Sequence, residues 1–355
     1  MKKYIFTAFA FSLSVILLAC QNATLANSQA QQTIPVNSAA KPGTQPSAAE
    51  TKETEPIWDP NTVVLESQKL AENVYAIVDS RGQQGVPNGV PMATSGGFIV
   101  GAQGVLMIDT MLNQKLSQQA RNLIAKVTDK PIIYAVNTSY HGDHSYGNMY
   151  LPAQTKIIQH EHTQSYLASN LEKDKAFMIA NFGKGRGIEE IKLRKADLIV
   201  KKGETYTLDL GGRQVKLIDF GFAQTGGDLF VWDQGSKTMW TGNPILAHKP
   251  SLPWLLDGHF VETRQSLQAM YDFLPADVTL IPGHGIPMKK TDIDWHLNYM
   301  DAVKVQVQSA IQEGLSYEQT VKKVTLDPFR GYQIFDWVHP GLNVPAAYQD
   351  LSKKE

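Results

Sequence analysis

The chain has 355 residues, with 33 Lys and Arg against 34 Asp and Glu and a formal net charge of -1. A near-neutral balance without a basic tract excludes nucleic acid as a main partner. Cys20 is the only cysteine, so no intrachain disulfide can form and stability must come from a packed core, for which roughly 300 residues are ample.

The chain opens with Lys2 and Lys3, an apolar run over residues 4–18, and then Leu17-Leu18-Ala19-Cys20. That order is an export signal, although an apolar stretch of this length also suits a short transmembrane anchor. The small residue followed by cysteine resembles a bacterial lipoprotein signal. The resemblance implies cleavage after residue 19, a diacylglycerol thioether on Cys20 and acylation of the new amino terminus. The acyl chains would then hold the protein to a lipid bilayer, with the folded part on the exported, periplasmic or cell-exterior side. Residues 20–56 are rich in Gln, Asn, Ala, Ser, Thr and Pro and nearly free of large apolar side chains. Such a segment cannot offset its ordering entropy by burial, and is expected to be a disordered tether.

A folded domain is expected over residues 57–290, with a helical extension of the same domain over 291–355. Short β-branched or aromatic runs at 63–65, 74–78, 97–100 and 105–108 predict a strand meander. Residues 113–127 place Leu116, Ala120, Leu123, Ile124 and Val127 at helical spacing. A strand at 132–136 and a helix at 162–179 follow. Strands are then expected at 198–200, 215–218, 229–232, 238–240 and 278–281, with a helix at 261–273 inside that series. The chain ends in helices at 291–312, 316–324 and 344–353. Two successive mixtures of strands and helices predict an α/β fold, two mixed sheets face to face with helices outside in an αββα sandwich.

After the strand ending at Val136 the chain reads Asn137-Thr138-Ser139-Tyr140-His141-Gly142-Asp143-His144-Ser145-Tyr146-Gly147-Asn148. Two imidazoles and a carboxylate within four residues can converge on a divalent cation, because imidazole nitrogen and carboxylate oxygen both suit zinc. Solvated loop histidines are the plainer alternative. The segment resembles the H-x-H-x-D-H signature of the metallo-β-lactamase superfamily. Downstream, residues 221–228 (Gly-Phe-Ala-Gln-Thr-Gly-Gly-Asp) resemble its A-H-T-x-G-D segment, Thr241-Gly242-Asn243 its T-G-D segment, and Pro282-Gly283-His284-Gly285 its P-G-H-G segment. The tail, with Trp337-Val338-His339-Pro340-Gly341 and Ala347-Tyr348, looks like that of the periplasmic branch related to sulfur-oxidation and quinoprotein-accessory hydrolases.

The resemblance implies ligand sets by position. Of the first metal's three histidines only His141 remains, with Ser139 and Gln224 at the other two. The second metal's set, Asp143, His144 and His284, is complete, and the aspartate that bridges the two metals is replaced by Asn243. Neutral oxygens are weak zinc ligands, and asparagine lacks the charge that holds two dications together. One metal is therefore expected, zinc, with iron or manganese as alternatives, on Asp143, His144 and His284, with Asp143 and His141 as the catalytic pair and His141 auxiliary to the metal. Asp109 matches an aspartate that braces the histidine loop, and Thr225 supports the site from behind the ligands. His248 is a weaker candidate. Residues 82–96 resemble a flap, and Leu252, Trp254, Leu255 and Leu256 offer an apolar wall.

The function implied is that of a membrane-anchored hydrolase of a small-molecule ester, lactone, amide or thioester, using metal-activated water. β-Lactam hydrolysis is not favoured, since fold does not choose substrate. The alternative is an inactive fold that serves as a binding or accessory module for a protein partner, with the replacements at Ser139, Gln224 and Asn243 as marks of a decayed site.

Overall fold

Short β-branched and aromatic runs, some alternating with polar residues and some continuously apolar, form thirteen strands among the described residues, 56–353, of the computed structural model. The expected signal, Cys20 and all but the last residue of the expected tether lie outside those described residues. The first sheet holds β1 (Leu65–Ala71), β2 (Val74–Asp79), β3 (Gly96–Val100), β4 (Val105–Ile108), β5 (Ile132–Val136), β6 (Lys156–His160) and β7 (Leu198–Val200), side by side in chain order. Pairing is antiparallel from β1 to β4 and parallel from β4 to β7. The second sheet holds β8 (Thr205–Asp209), β9 (Gln214–Ile218), β10 (Phe230–Asp233), β11 (Thr238–Gly242), β12 (Thr279–Pro282) and β13 (Met288–Lys289), in the order β13-β12-β11-β10-β9-β8. Only β11 and β12 pair parallel there.

Parallel neighbours need long crossovers, and these supply the helices. After α1 (Gly82–Gly85), α2 (Gln114–Ala125) joins β4 to β5, α3 (Gly142–Ser145) lies between β5 and β6, and α4 (Glu161–Phe182) joins β6 to β7. The parallel pair of the second sheet is bridged by α5 (Phe260–Phe273), and α6 (Ile293–Gln312), α7 (Tyr317–Lys323), α8 (Phe335–Val338) and α9 (Val344–Leu351) complete the chain. Asn113 caps α2, its Oδ1 accepting the Leu116 N–H at 2.9 Å. Among the described residues no helix is long and apolar enough to cross a membrane.

Strand alternation sorts the core into layers. Val74, Ala76 and Val78 point into the space between the sheets, where they meet Leu217, Val231, Trp240 and Ile281. Ile77 and Phe98 point outward beneath Leu116 and Ala120 of α2 and Leu167 and Met178 of α4. Beyond the second sheet, Phe230 and Leu280 pack with Leu267 and Met270 of α5 and with Met300 and Val303 of α6. Each such side chain contributes about 1.5–3 kcal/mol when fully buried, and helix, sheet, sheet and helix stack in the expected αββα order.

The departures from expectation are at the margins. β1 begins at Leu65 and runs seven residues through Glu66, Gln68 and Lys69; its place at the sheet edge lets polar residues occupy both faces, so no apolar run marks it. β8, at an edge of the second sheet, is mostly exposed and alternates only through Tyr206 and Leu208, too brief a period to stand out. β6 was also unanticipated, because Ile157 and Ile158 are too short a run to stand out. Residues 82–96, expected as a loop, begin with α1 and a 3-10 turn at Val86–Asn88. The C-terminal helices reach back to the site: Asn343 Nδ2 donates to Pro253 O at 2.7 Å, and Asn343 Oδ1 accepts from Leu255 N at 3.1 Å.

Candidate metal centre

The polar loops at the carboxyl ends of β4, β5, β11 and β12 meet between the two sheets, where a parallel sheet conventionally builds its sites. The loop after β5 is held by buried amides. Asn137 Nδ2 donates to the His144 carbonyl at 3.0 Å, Asn148 Nδ2 and Gln159 Nε2 donate to Asn137 Oδ1 at 2.7 and 2.8 Å, and Thr110 Oγ1 donates to Asn148 Oδ1 at 2.9 Å. Apart from the unpartnered Gln159 Oε1 the named amide groups are paired, and such networks rigidify what they carry. The single turn α3 then presents Asp143 and His144, both buried.

Asp143, His144 and His284 each offer a ligand atom, and these atoms all lie within 4.8 Å of one another. Asp143 Oδ2 is 3.5 Å from His144 Nε2 and 3.3 Å from His284 Nε2. Donors about 2.0–2.1 Å from one tetrahedral ion stand about 3.3 Å apart, so the spacing fits zinc. The tautomers fit too. His144 Nδ1 donates to Asp109 Oδ2 at 2.7 Å and His284 Nδ1 donates to the Met92 carbonyl at 3.0 Å, which turns both Nε2 atoms toward Asp143. His144 Nε2 is buried without a hydrogen-bond partner, as a ligand nitrogen waiting for a cation would be.

Asp109, at φ 57 in the left-handed region, also accepts from the Thr138 N–H and from Thr138 Oγ1, both at 2.8 Å. Three bonds hold this strained turn in place. The flap contributes residues that the sequence did not mark. Thr94 Oγ1 donates to Asp143 Oδ2 at 2.6 Å, and Ser95 clasps the His284 turn through its N–H to Gly283 O and its Oγ to Gly285 O, both at 2.7 Å.

The remaining candidates take different places. His141 is buried with Nε2 unpartnered, its ring stacked 4.9 Å from that of Tyr140. His141 and Asn243 border the same small cavity as Asp143 and His284, and the Asn243 Oδ1 is likewise buried and unpartnered. Ser139 Oγ accepts only from the His141 N–H, at 3.4 Å. Gln224 Nε2 donates to the Trp254 carbonyl at 3.2 Å, with Oε1 unpartnered. Thr225 bonds Asp228 through Oγ1 at 3.0 Å, and that aspartate also accepts the Gln224 and Thr225 N–H groups; Thr225 therefore shapes its own loop and makes no hydrogen bond to a ligand. His248 Nε2 faces Asp292 at 3.4 Å and does not border the cavity. Trp254 does, its ring 6.2 Å from that of His284 and inclined by 20°.

Electrostatics favour a cation. Burial works to raise the Asp143 carboxyl, but the three neighbouring histidines and the Thr94 hydroxyl hold it below the ordinary range. Burial pushes His144 down, yet Asp143 and Asp109 outweigh it and lift the imidazole to about 9. Burial dominates at His284, which falls to about 4, and also lowers His141. The metal-free pocket thus keeps a proton on His144 between two carboxylates, the place where a dication would supply the charge instead.

The profile of the metallo-beta-lactamase superfamily matches residues 89–284, more than half of the chain. The chain belongs to that superfamily. Among solved structures it is similar to a metallo-beta-lactamase from Pontibacter korlensis, at 16% identity and TM-score 0.55 over 67% of this chain and 99% of that one. It also resembles a stereoselective inverting sec-alkylsulfatase from Pseudomonas sp., at 15% identity and TM-score 0.61 over 81% of this chain and 50% of that one. The crystal structure of VMB-1 matches at 20% identity and TM-score 0.51, over 68% of this chain and 96% of that one. At these identities the likeness is one of fold, a hydrolase-type fold with a candidate metal triad.

Proposed function

We propose that this chain is a metal-dependent hydrolase holding one zinc ion on Asp143, His144 and His284, and acting on an ester, lactone, amide or thioester. The observation that carries the reading is the 3.3 and 3.5 Å spacing of the ligand atoms, with both imidazole Nδ1 donors already committed elsewhere. Zinc held there supplies Lewis acidity and brings the pKa of water near 7. Asp109 and the Met92 carbonyl orient both Nε2 atoms toward the cation position, where zinc would take the place of the extra His144 proton, and Thr94 fixes the Asp143 carboxylate. His141, neutral because burial lowers its pKa, presents an unpartnered Nε2 that accepts a hydrogen bond from attacking water. Asn243 Oδ1, across the same cavity, is a second acceptor. Iron or manganese would suit the same nitrogen and oxygen donors.

The signal-like start of the chain and Cys20 support the further reading that a diacylglycerol thioether and an acylated amino terminus hold the enzyme to a membrane, its folded part on the exported side. Ser139, Gln224 and Asn243 favour a second reading, a binding or accessory module without turnover. Metal content after reconstitution, paired with turnover on a panel of esters, lactones, thioesters and β-lactams, separates the two. The hydrolase reading expects one zinc per chain and activity lost in His144→Ala and His284→Ala. A chain that holds zinc yet turns over nothing supports the accessory module, and one that holds no zinc, iron or manganese ends the hydrolase reading.

A further inference from the structure

The cavity in front of the triad has a volume of about 20 Å³, enough for one water or ion and too small for any carbonyl substrate. Its polar side is His141, Asp143, Asn243 and His284; its other side is Ile57, Phe177, Met178, Phe182, Trp254 and Leu256, with Asn181, whose amide donates to the Phe177 carbonyl at 2.8 Å, the one polar residue among them. Three of those apolar residues, Phe177, Met178 and Phe182, come from the last turns of α4. The helix end is fastened from outside by the first described residues. The Ile57 N–H donates to the Asn181 carbonyl at 2.9 Å, the Trp58 ring lies 4.5 Å from that of Phe182, and Asp59 pairs with Arg186 at 2.9 Å. Directly after α4 come Gly183, Gly185 and Gly187 with φ of 91, 67 and 76°. A Cβ at Gly185 would meet nothing within 4 Å, so glycine is required there by backbone conformation.

We infer that the last turns of α4 form a lid over the metal centre, strapped shut by residues 57–59, and that the substrate's uncharged hydrocarbon acyl group lifts the lid and packs against its apolar underside. The inference rests on the hydrolase reading and assigns the substrate class within it, acyl esters or thioesters with an aliphatic or aryl acyl group. No cationic side chain borders the cavity apart from the site histidines, so nothing on the lid would hold a charged acyl end.

The test uses the full chain reconstituted with zinc and a series of straight-chain carboxylates, acetate to octanoate, as product mimics titrated by calorimetry. Affinity is expected to rise about fourfold for each methylene buried under the lid. Amide exchange over residues 177–187 should quicken in Trp58→Ala and in the milder Asp59→Asn, with octanoate binding faster in both while acetate changes little. Zinc bound with affinity independent of chain length, or octanoate association unmoved by both strap variants, would overturn the lid and leave the hydrolase reading standing. Failure to take up zinc would remove both.

Discussion

His144 makes the bond on which the chemistry of the centre turns, donating Nδ1–H to Asp109 so that Nε2 is the free nitrogen. Asp109→Asn keeps an acceptor for the Thr138 N–H but replaces the carboxylate behind the imidazole. Zinc affinity should fall about 10–100-fold, read by competition with a chromophoric chelator; an unchanged affinity would mean that the aspartate only braces the turn. The convergence of Asp143, His144 and His284 into one candidate triad was legible because ligand chemistry and motif order are written in the chain. Thr94 and the Met92 carbonyl were not, since they reach Asp143 and His284 from 49 and 192 residues away and belong to no pattern. Thr225 was placed behind the ligands by analogy, and its hydroxyl is taken instead by Asp228 three residues on.

At the scale of elements, the turn that follows α3 depends on one glycine. A Cβ on Gly147 would stand 1.7 Å from the Thr110 carbonyl oxygen, and the Gly147 N–H already donates to Met111 O at 2.8 Å. Backbone cannot yield as a side chain can, so Gly147→Ala should cost about 2–3 kcal/mol, seen as a lower urea midpoint, together with weaker zinc binding because His144 lies in the same loop. A midpoint within error of the parent would contradict this packing. The buried strands β2 to β5, and the helices α2, α4, α5, α6, α7 and α9, follow periods that the chain displays. The edge strand β1 does not, because Glu66, Gln68 and Lys69 leave it little apolar signal; β8 does alternate, Tyr206 and Leu208 facing inward, but with two apolar positions in five residues the period is too brief to stand out.

Across the whole molecule, two kinds of linkage follow. Asp174 on α4 is buried, accepts the Tyr146 hydroxyl at 2.5 Å, and burial raises its carboxyl to about 7. Because the folded pKa lies above the unfolded one, the folded state holds the extra proton between pH 4 and 7. Stability from this group is therefore full below about pH 4 and lost as pH rises through 7. Asp174→Asn should flatten that slope and stabilise the protein at pH 8 by at most ~4 kcal/mol, measured by denaturant melts across the range; a slope unchanged by the substitution would refute the assignment. Zinc, binding only the folded state, should add about 2.7 kcal/mol at a hundredfold excess over its dissociation constant, visible as a melting temperature that falls on chelation in the parent and does not in His284→Ala.

The sequence by itself determined the layered α/β architecture, the superfamily and the three residues of the candidate metal triad, since strand and helix periods are local and ligand chemistry resides in side-chain type. Tertiary structure alone decided which imidazole nitrogen is free, which flap residues hold the carboxylate, and that the last turns of α4 close the centre to a volume fit for one ion or water. Those outcomes depend on contacts between segments far apart in the chain, whose meeting is set by how the two sheets pack.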